Sequence, residues 1–339
     1  VHEKNNESRP WRELTARIEA LDDTNSDLLR GLLSSVIKLF EHGADRRDLK
    51  MAHLAMRESY RALQVFGEYR HVPKISIFGS ARTRPEELSY QMAEAFAREI
   101  VSHGFMVMTG AGGGIMEAAQ GGAGTKRSFG LNIDLPFEQE ANRFIAGDPK
   151  LIDFRFFFTR KLFFLKETRA LALFPGGFGT MDEGFEALTL IQTGKAMPMP
   201  IVLMEDASSG YWEEWRDYVS DHLLARGLIS EQDLNLFSIH HDVKTAVHEV
   251  LRFFRVFHSS HRHRDGVSIW LWRPLDNDEI ERINERFSDL MDGQKVSLVC
   301  SPKRPVMETG PDVLSCINVP MNHRFQGRLR QMIDFINDL

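Results

Sequence analysis

The residues best placed to do chemistry lie in Pro175-Gly176-Gly177-Phe178-Gly179-Thr180-Met181-Asp182-Glu183. The apolar run Ala170-Leu171-Ala172-Leu173-Phe174 precedes them and reads as a buried strand. Phe185, Leu188, Leu190 and Ile191 follow at helical spacing. A glycine loop between a strand and a helix N-terminus is an anion cradle. Glycine lets the backbone approach the ligand, and the first N–H groups of the helix point at it. Gly176, Gly177, Phe178 and Gly179 would hold a phosphate there. Thr180 would cap the helix or donate to a phosphate oxygen. Glu183 falls in the first helical turn, as either a structural partner of the helix dipole or a catalytic carboxylate. The loop is not a dinucleotide fingerprint, because Asp182 stands where the third glycine belongs. No Gly-Lys-Ser/Thr follows, so it is not a Walker loop.

A second group of cations lies upstream. Phe154 to Phe164 is dense in phenylalanine and holds Arg155, Arg160 and Lys161. One reading is a buried element whose cations reach the surface. The other sets Arg160 and Lys161 at a helix start facing the anion site, where arginine's planar fork suits phosphate.

The elements that must position these groups follow from periodicity. Residues 1–72 form a helical extension, with Leu28, Leu29, Leu32, Leu33, Val36, Ile37 and Phe40 at helical spacing and Gly43 ending that helix. From Pro73 the pattern changes. Strands at Ile75–Phe78, Phe105–Met108, about 128–135, 170–174 and 200–204 alternate with helical runs. This predicts an α/β domain over 73–257, a Rossmann-like parallel sheet with helices on both faces. Ligands of such sheets sit at the carboxyl ends of strands. Gly79-Ser80 and the loop Gly110 to Gly114 lie at such ends, so three loops should converge on one crevice. Residues 210–257 read as helical, with Trp212, Trp215, Tyr218 and Val219 on one stripe. His258, His261 and His263 resemble a metal tract only weakly, and a solvated linker is the preferred reading. Residues 258–339 then read as a small α+β module, with strands near 267–272, 295–300 and 313–319 and helices over 276–290 and 323–338.

Composition narrows the function class. The chain has 339 residues, 27% charged and 42% apolar, as expected of a globular protein. A net charge of −6 invites no nucleic acid. No apolar run is long enough to span a membrane. Only Cys300 and Cys316 are present, and Val1 to Glu7 is polar without a signal-peptide core. A cytoplasmic protein is therefore expected.

Four motifs, in order, resemble the LOG family of cytokinin-activating phosphoribohydrolases and bacterial nucleotide nucleosidases, many of which carry an old lysine decarboxylase label. They are Phe78-Gly79-Ser80-Ala81, Thr109 to Glu117, Thr159-Arg160-Lys161 and Pro175 to Glu183. Together they cover about residues 73–257; the terminal regions lie outside the resemblance. It implies hydrolysis of the N-glycosidic bond of a nucleoside 5′-monophosphate, AMP-like and including N6-modified cytokinin types. It implies catalytic roles for Arg160 and Glu183. Substrate contacts are implied for Gly79, Ser80, Gly112, Gly113, Gly114, Met116, Glu117 and Lys161, and for Gly176 to Thr180. Glu117 would reach ribose hydroxyls or serve as a first-turn dipole partner. No metal or redox cofactor is implied, and a homodimer or higher homo-oligomer is.

The chemistry agrees with the implied roles. Breaking an N-glycosidic bond passes through an oxocarbenium-like cation, which needs a carboxylate near the anomeric carbon. Asp182 is an alternative to Glu183, but neighbouring helical residues point about 100° apart. Lysine decarboxylation would need a Schiff-base lysine in a pyridoxal phosphate pocket, and no stretch argues for one. The rivals are a non-catalytic carrier of nucleotide or molybdenum cofactor, and a nucleotide sensor with the C-terminal module as output.

Overall fold

The fold is given by a computed structural model, which describes residues 16–17, 25–135, 140–291, 293–299, 315–321 and 325–339. The chain divides into two compact units, Val1–Ser59 and Tyr60–Leu339. In the first, helix α1 (Ser26–Glu41) buries no residue and exposes Leu32, Val36, Ile37 and Phe40. Gly43, at φ 70°, stops it. Its N–H donates to Phe40 O and that of Ala44 to Leu39 O, the paired bonds of a Schellman end. Helix α2 (Arg46–Gly67) begins in this unit, and its last turns belong to the second.

The second unit is built on a seven-stranded sheet. Its strands are β1 (Lys74–Phe78), β2 (Met106–Thr109), β3 (Ser128–Ile133), β4 (Leu151–Phe154), β5 (Ala170–Leu173), β6 (Ile201–Met204) and β7 (Ser238–His240). The order is β4-β3-β2-β1-β5-β6-β7, with parallel pairing throughout. The chain first runs outward from β1 to β4, then returns to place β5 beside β1, with Ser76 opposite Leu171 and Phe78 opposite Leu173. The switch point therefore lies between β1 and β5, where an open parallel sheet leaves a crevice at its carboxyl edge.

Helices cover both faces. Helices α3 (Leu88–Ser102), α4 (Ile115–Ala123) and α8 (Val243–Phe253) pack on one face, where Ile75, Ile77 and Val107 meet Phe96, Ile100 and Val250. Helices α5 (Phe157–Glu167), α6 (Phe178–Gln192) and α7 (Tyr211–Tyr218) pack on the other, where Phe78 and Met108 meet Phe129, Phe163 and Trp212. Successive residues of the central strands β1, β2, β5 and β6 alternate between these cores, so those strands are apolar on both sides. Burying each such side chain stabilises the fold by about 1.5–3 kcal/mol.

A four-stranded antiparallel sheet follows, in the order β10-β11-β9-β8: β8 (Phe257–His263), β9 (Gly266–Leu271), β10 (Ser297–Leu298) and β11 (Ser315–Val319). Helices α9 (Asn277–Arg286) and α10 (Gln326–Asp338) complete this part. Helix α10 also reaches the first sheet's layer. The buried Arg330 donates to Met199 O (3.1 Å), Glu249 (2.6 Å) and Asp334 (2.9 Å). A Cβ on Gly327 would fall 2.0 Å from Gln232 O, so backbone meets backbone there.

Two expectations need correction. Residues 258–263 are a paired strand and not a solvated linker. Polar side chains hid it, because only one side of β8 faces an apolar core. The span 210–257 is not helical throughout, since β7 interrupts it as a three-residue edge strand. The expected strand near 295–300 is seen as Ser297–Leu298, and Cys300 lies outside the described residues. No described helix is long and apolar enough to cross a membrane.

Candidate active site

Three loops meet at the carboxyl ends of β1, β2 and β5. Ser80 N–H donates to Pro175 O at 3.0 Å, and Ser80 O accepts from Ile115 N–H at 3.0 Å. Ser80 thus ties the first turn to both glycine loops. Two glycines make the approach feasible. Gly114 has φ 62°, and a Cβ there would lie 2.2 Å from Ser80 O. A Cβ on Gly176 would lie 2.1 Å from Thr180 Oγ1 and 3.0 Å from Ser80 N. Any side chain at either position would push the loops apart.

The loops enclose a crevice of about 860 Å³. Gly79, Ser80, Gly110, Met116, Arg160, Glu183 and the whole stretch Gly176–Thr180 line it. Helix α6 starts one residue after Gly177, which is its N-cap. The N–H groups of Phe178 and Gly179 therefore head the helix at the crevice, while Thr180 N–H and Met181 N–H both bond to Gly177 O at 3.1 Å. Thr180 makes no side-chain cap, contrary to one sequence expectation. It is the third helical residue and is buried over Gly176.

Arg160 and Glu183 are brought to the same crevice. Arg160 comes from the first turn of α5. Its Nε donates to Leu131 O at 2.8 Å, and its guanidinium lies 5.2 Å from the Phe164 ring centre. Burial pulls its pKa down, and the Glu183 charge opposes that. Glu183 comes from the second turn of α6, not the first as its spacing suggested, because the helix begins at Phe178, and it is only 8% exposed. Burial pushes its carboxyl up to about 7, against the charges of Lys161 and Arg160. Desolvation wins over two nearby cations, so the carboxyl titrates near neutrality.

Other expected site residues stand elsewhere. Lys161 lies outside the crevice lining and bridges Asp182 (2.8 Å) and Glu186 (2.9 Å). Gly112, Gly113 and Gly114 support the loop from behind and do not line the crevice. Asn142 Nδ2 donates to Gly112 O at 2.8 Å and to Ala111 O at 3.1 Å. Glu117 faces Arg143 at 3.2 Å. Asp182 lines the crevice but is exposed, and Lys161 holds it.

The structure adds lining residues that sequence reasoning missed. Arg82 is an exposed cation two positions after Ser80, a spacing that could have been read. Ile133, Leu135 and Phe157 form an apolar side. Tyr211 lines the crevice and its hydroxyl donates to Gly176 O at 2.5 Å. No local signal marks Tyr211, because its partner is 35 positions away.

Metal-binding potential lies apart from this constellation. Glu205, Glu213 and His241 bring ligand atoms within 4.8 Å of one another. Glu205 accepts from Trp212 N–H at 2.9 Å, and Glu213 is engaged by Arg216. The histidines at 258, 261 and 263 form no such group among the described residues.

The family model described as "Possible lysine decarboxylase" matches residues 113–250. Comparison with curated proteins gives no match. Among solved structures, the chain is similar to TM1055, at 20% identity over 53% of this chain and 99% of that one, with a TM-score of 0.39. It is also similar to the molybdenum cofactor carrier protein of Chlamydomonas reinhardtii, at 22% identity over 54% and 98%, TM-score 0.38. The molybdenum cofactor binding protein of Rippkaea orientalis gives 18% over 52% and 94%, TM-score 0.37. The second glycine loop, the Arg-Lys pair and the Pro-Gly-Gly motif all reach into the segment 113–250, and it is this segment that matches the family's domain.

Proposed function

We propose that the crevice hydrolyses the N-glycosidic bond of a nucleoside 5′-monophosphate, giving the free base and ribose 5-phosphate. One observation carries this reading: a buried carboxyl titrating near 7, Glu183, lines the same crevice as the half-buried cation Arg160, beside a glycine loop that heads a helix. The Phe178 and Gly179 N–H groups receive the 5′-phosphate, with Arg82 at the rim. The ribose then extends towards Glu183. The C1′–N bond breaks, water oxygen bonds to C1′, and the proton that water gives up to Glu183 passes through solvent to the departing base nitrogen. Ionised Glu183 stabilises the oxocarbenium-like cation and accepts the water's proton. Arg160 stays charged and donates hydrogen bonds, so it positions substrate and eases departure of the base without giving up its own proton. Ile133, Leu135 and Phe157 offer an apolar wall to a purine such as adenine.

Decarboxylation through a Schiff-base lysine has no support here. Among the described residues that line the crevice there is no lysine, and the nearby Lys161 is spent on Asp182 and Glu186.

The test is incubation of the purified protein with AMP, followed by assay for adenine and ribose 5-phosphate. Both products should appear. Glu183→Gln should lower kcat by roughly 10²–10⁴-fold while AMP still binds. AMP recovered intact but bound would favour a carrier, and normal turnover by Glu183→Gln would remove that residue from the mechanism.

A further inference from the structure

A second pocket, of about 500 Å³, opens at the opposite edge of the sheet. Lys74, the first residue of β1, and Arg169, the residue before β5, lie in its wall, together with Arg70, Lys166 and Glu167. Phe78, at the other end of β1, lines the crevice. Four residue steps along β1, from Lys74 to Phe78, separate the two sites by roughly 13 Å at about 3.3 Å per residue.

The pocket's charge is unlike that of the chain. Four cationic side chains face one carboxylate, in a protein whose net charge is −6. That carboxylate, Glu167, is shared: it lies 3.5 Å from Lys74 Nζ and 2.5 Å from Lys166 Nζ. Lys74 is 2% exposed, and its Nζ also donates to Tyr69 O (2.9 Å) and Val72 O (3.2 Å). It fixes the floor as a desolvated cation. Arg169 lies over the Phe254 ring at 5.5 Å and donates to His258 O at 3.3 Å, so its guanidinium is held in orientation. Arg70 and Lys166 are exposed at the mouth. Such an excess of positive charge in a concave, partly desolvated wall favours a multiply charged anion, because low dielectric strengthens each pairing.

The rim supplies a flat surface as well. Trp272 lines the pocket and remains 43% exposed. The His258 ring meets it edge-on at 4.4 Å, and the Trp272 backbone N–H donates to Val256 O at 2.8 Å. A large indole kept exposed and fixed beside a basic pocket offers a stacking platform for a planar ring. The volume falls within the roughly 300–1,000 Å³ of small-molecule sites.

We propose that this pocket binds a nucleoside di- or triphosphate, with its phosphates against Arg70, Lys166 and Arg169 and its base on Trp272. The site is independent of the crevice and of the reaction proposed there.

Isothermal titration of the full chain with ADP and with inorganic tripolyphosphate tests it. Both should bind, more weakly as salt rises. Arg70→Ala/Lys166→Ala, at two exposed positions, should weaken both by roughly tenfold or more. Trp272→Ala should weaken ADP by about tenfold and leave tripolyphosphate unchanged. Gly110→Ala, which disturbs the crevice alone, should leave ADP binding at this pocket intact. No binding of either probe overturns the proposal. So does ADP binding that survives Arg70→Ala/Lys166→Ala but is lost in Gly110→Ala, which would assign the ligand to the crevice. Equal affinity of ADP for wild type and Trp272→Ala overturns the stacked base.

Discussion

Gly110 is the space that Arg160 occupies. A Cβ on Gly110 would lie 2.3 Å from Arg160 Nη2 and 2.9 Å from Met116 Sδ. The guanidinium is anchored from behind on Leu131 O, so it has little freedom to retreat. The backbone of one strand end thereby sets the position of a cation on another element.

Gly110→Ala should therefore be an activity mutant before it is a folding mutant. A displacement of about 1 Å in a positioning group costs roughly 10²-fold in rate. Overpacking of this kind costs about 1–3 kcal/mol of stability. Adenine release from AMP should fall by that order while the melting transition stays cooperative. A variant that melts normally and turns over AMP normally would show that Arg160 needs no such seat.

The pH dependence follows from Glu183. Its carboxyl sits at about 7 in the folded chain, against an ordinary 4.5. The proposed mechanism uses the ionised form, so kcat/KM should rise with pH and level off above about 7. Stability should run the other way. Between 4.5 and 7 the folded state holds a proton that the unfolded state has lost, so stability declines as pH rises through this window and is lowest above it. At about 1.36 kcal/mol per pH unit this amounts to roughly 3 kcal/mol. Glu183→Gln removes the titration and should melt higher than wild type at pH 8, with little advantage at pH 4.5. Parallel melting curves at both pH values would contradict the buried, neutral-at-low-pH carboxyl.

Tyr211→Phe isolates one loop contact. It deletes the hydrogen bond to Gly176 O and keeps the ring between its neighbours. The expected loss is about 0.5–1.5 kcal/mol of stability. Kinetically, KM for AMP should rise several-fold, because the glycine loop proposed to hold phosphate loses its outer tether, while kcat changes little. A fall confined to kcat would place Tyr211 in the chemical step instead.

Arg330→Met probes how the last helix is held. Arg330 is 3% exposed and serves Met199 O, Glu249 and Asp334 at once. Its removal leaves two carboxylates with a lost partner in a largely buried setting, and breaking such a pair costs roughly 3–5 kcal/mol. Urea unfolding should show that loss. A change within about 0.5 kcal/mol would mean the network is as weak as a surface one.

Much of this molecule was legible in one dimension. Short apolar runs ending in glycine loops, with helical periodicity between them, specify parallel strands whose carboxyl ends share an edge. Ile75–Phe78, Met106–Thr109 and Ala170–Leu173 are such runs, and the crevice lies at their ends. The module beyond residue 257 was legible only in part. Strand β8 is made mostly of serines, histidines and an arginine, of which only His261 is exposed, and its pairing with β9 comes from register and not from composition.

The direction of individual side chains was not written locally. Arg160 and Lys161 are neighbours, yet one lines the crevice and the other is drawn to Asp182 and Glu186 on α6. Glu183 and Asp182 divide in the same way, one buried and one exposed. The sequence by itself determined the residue types, the glycine spacing and the strand–loop–helix alternation, because each depends on a few consecutive residues. Only the tertiary structure decided which glycines line the crevice and which meet another backbone, that Tyr211 would close the loop, and that burial would outweigh two cations at Glu183. Those outcomes depend on desolvation and on partners tens of positions away, and neither exists until the sheet and its helices have packed.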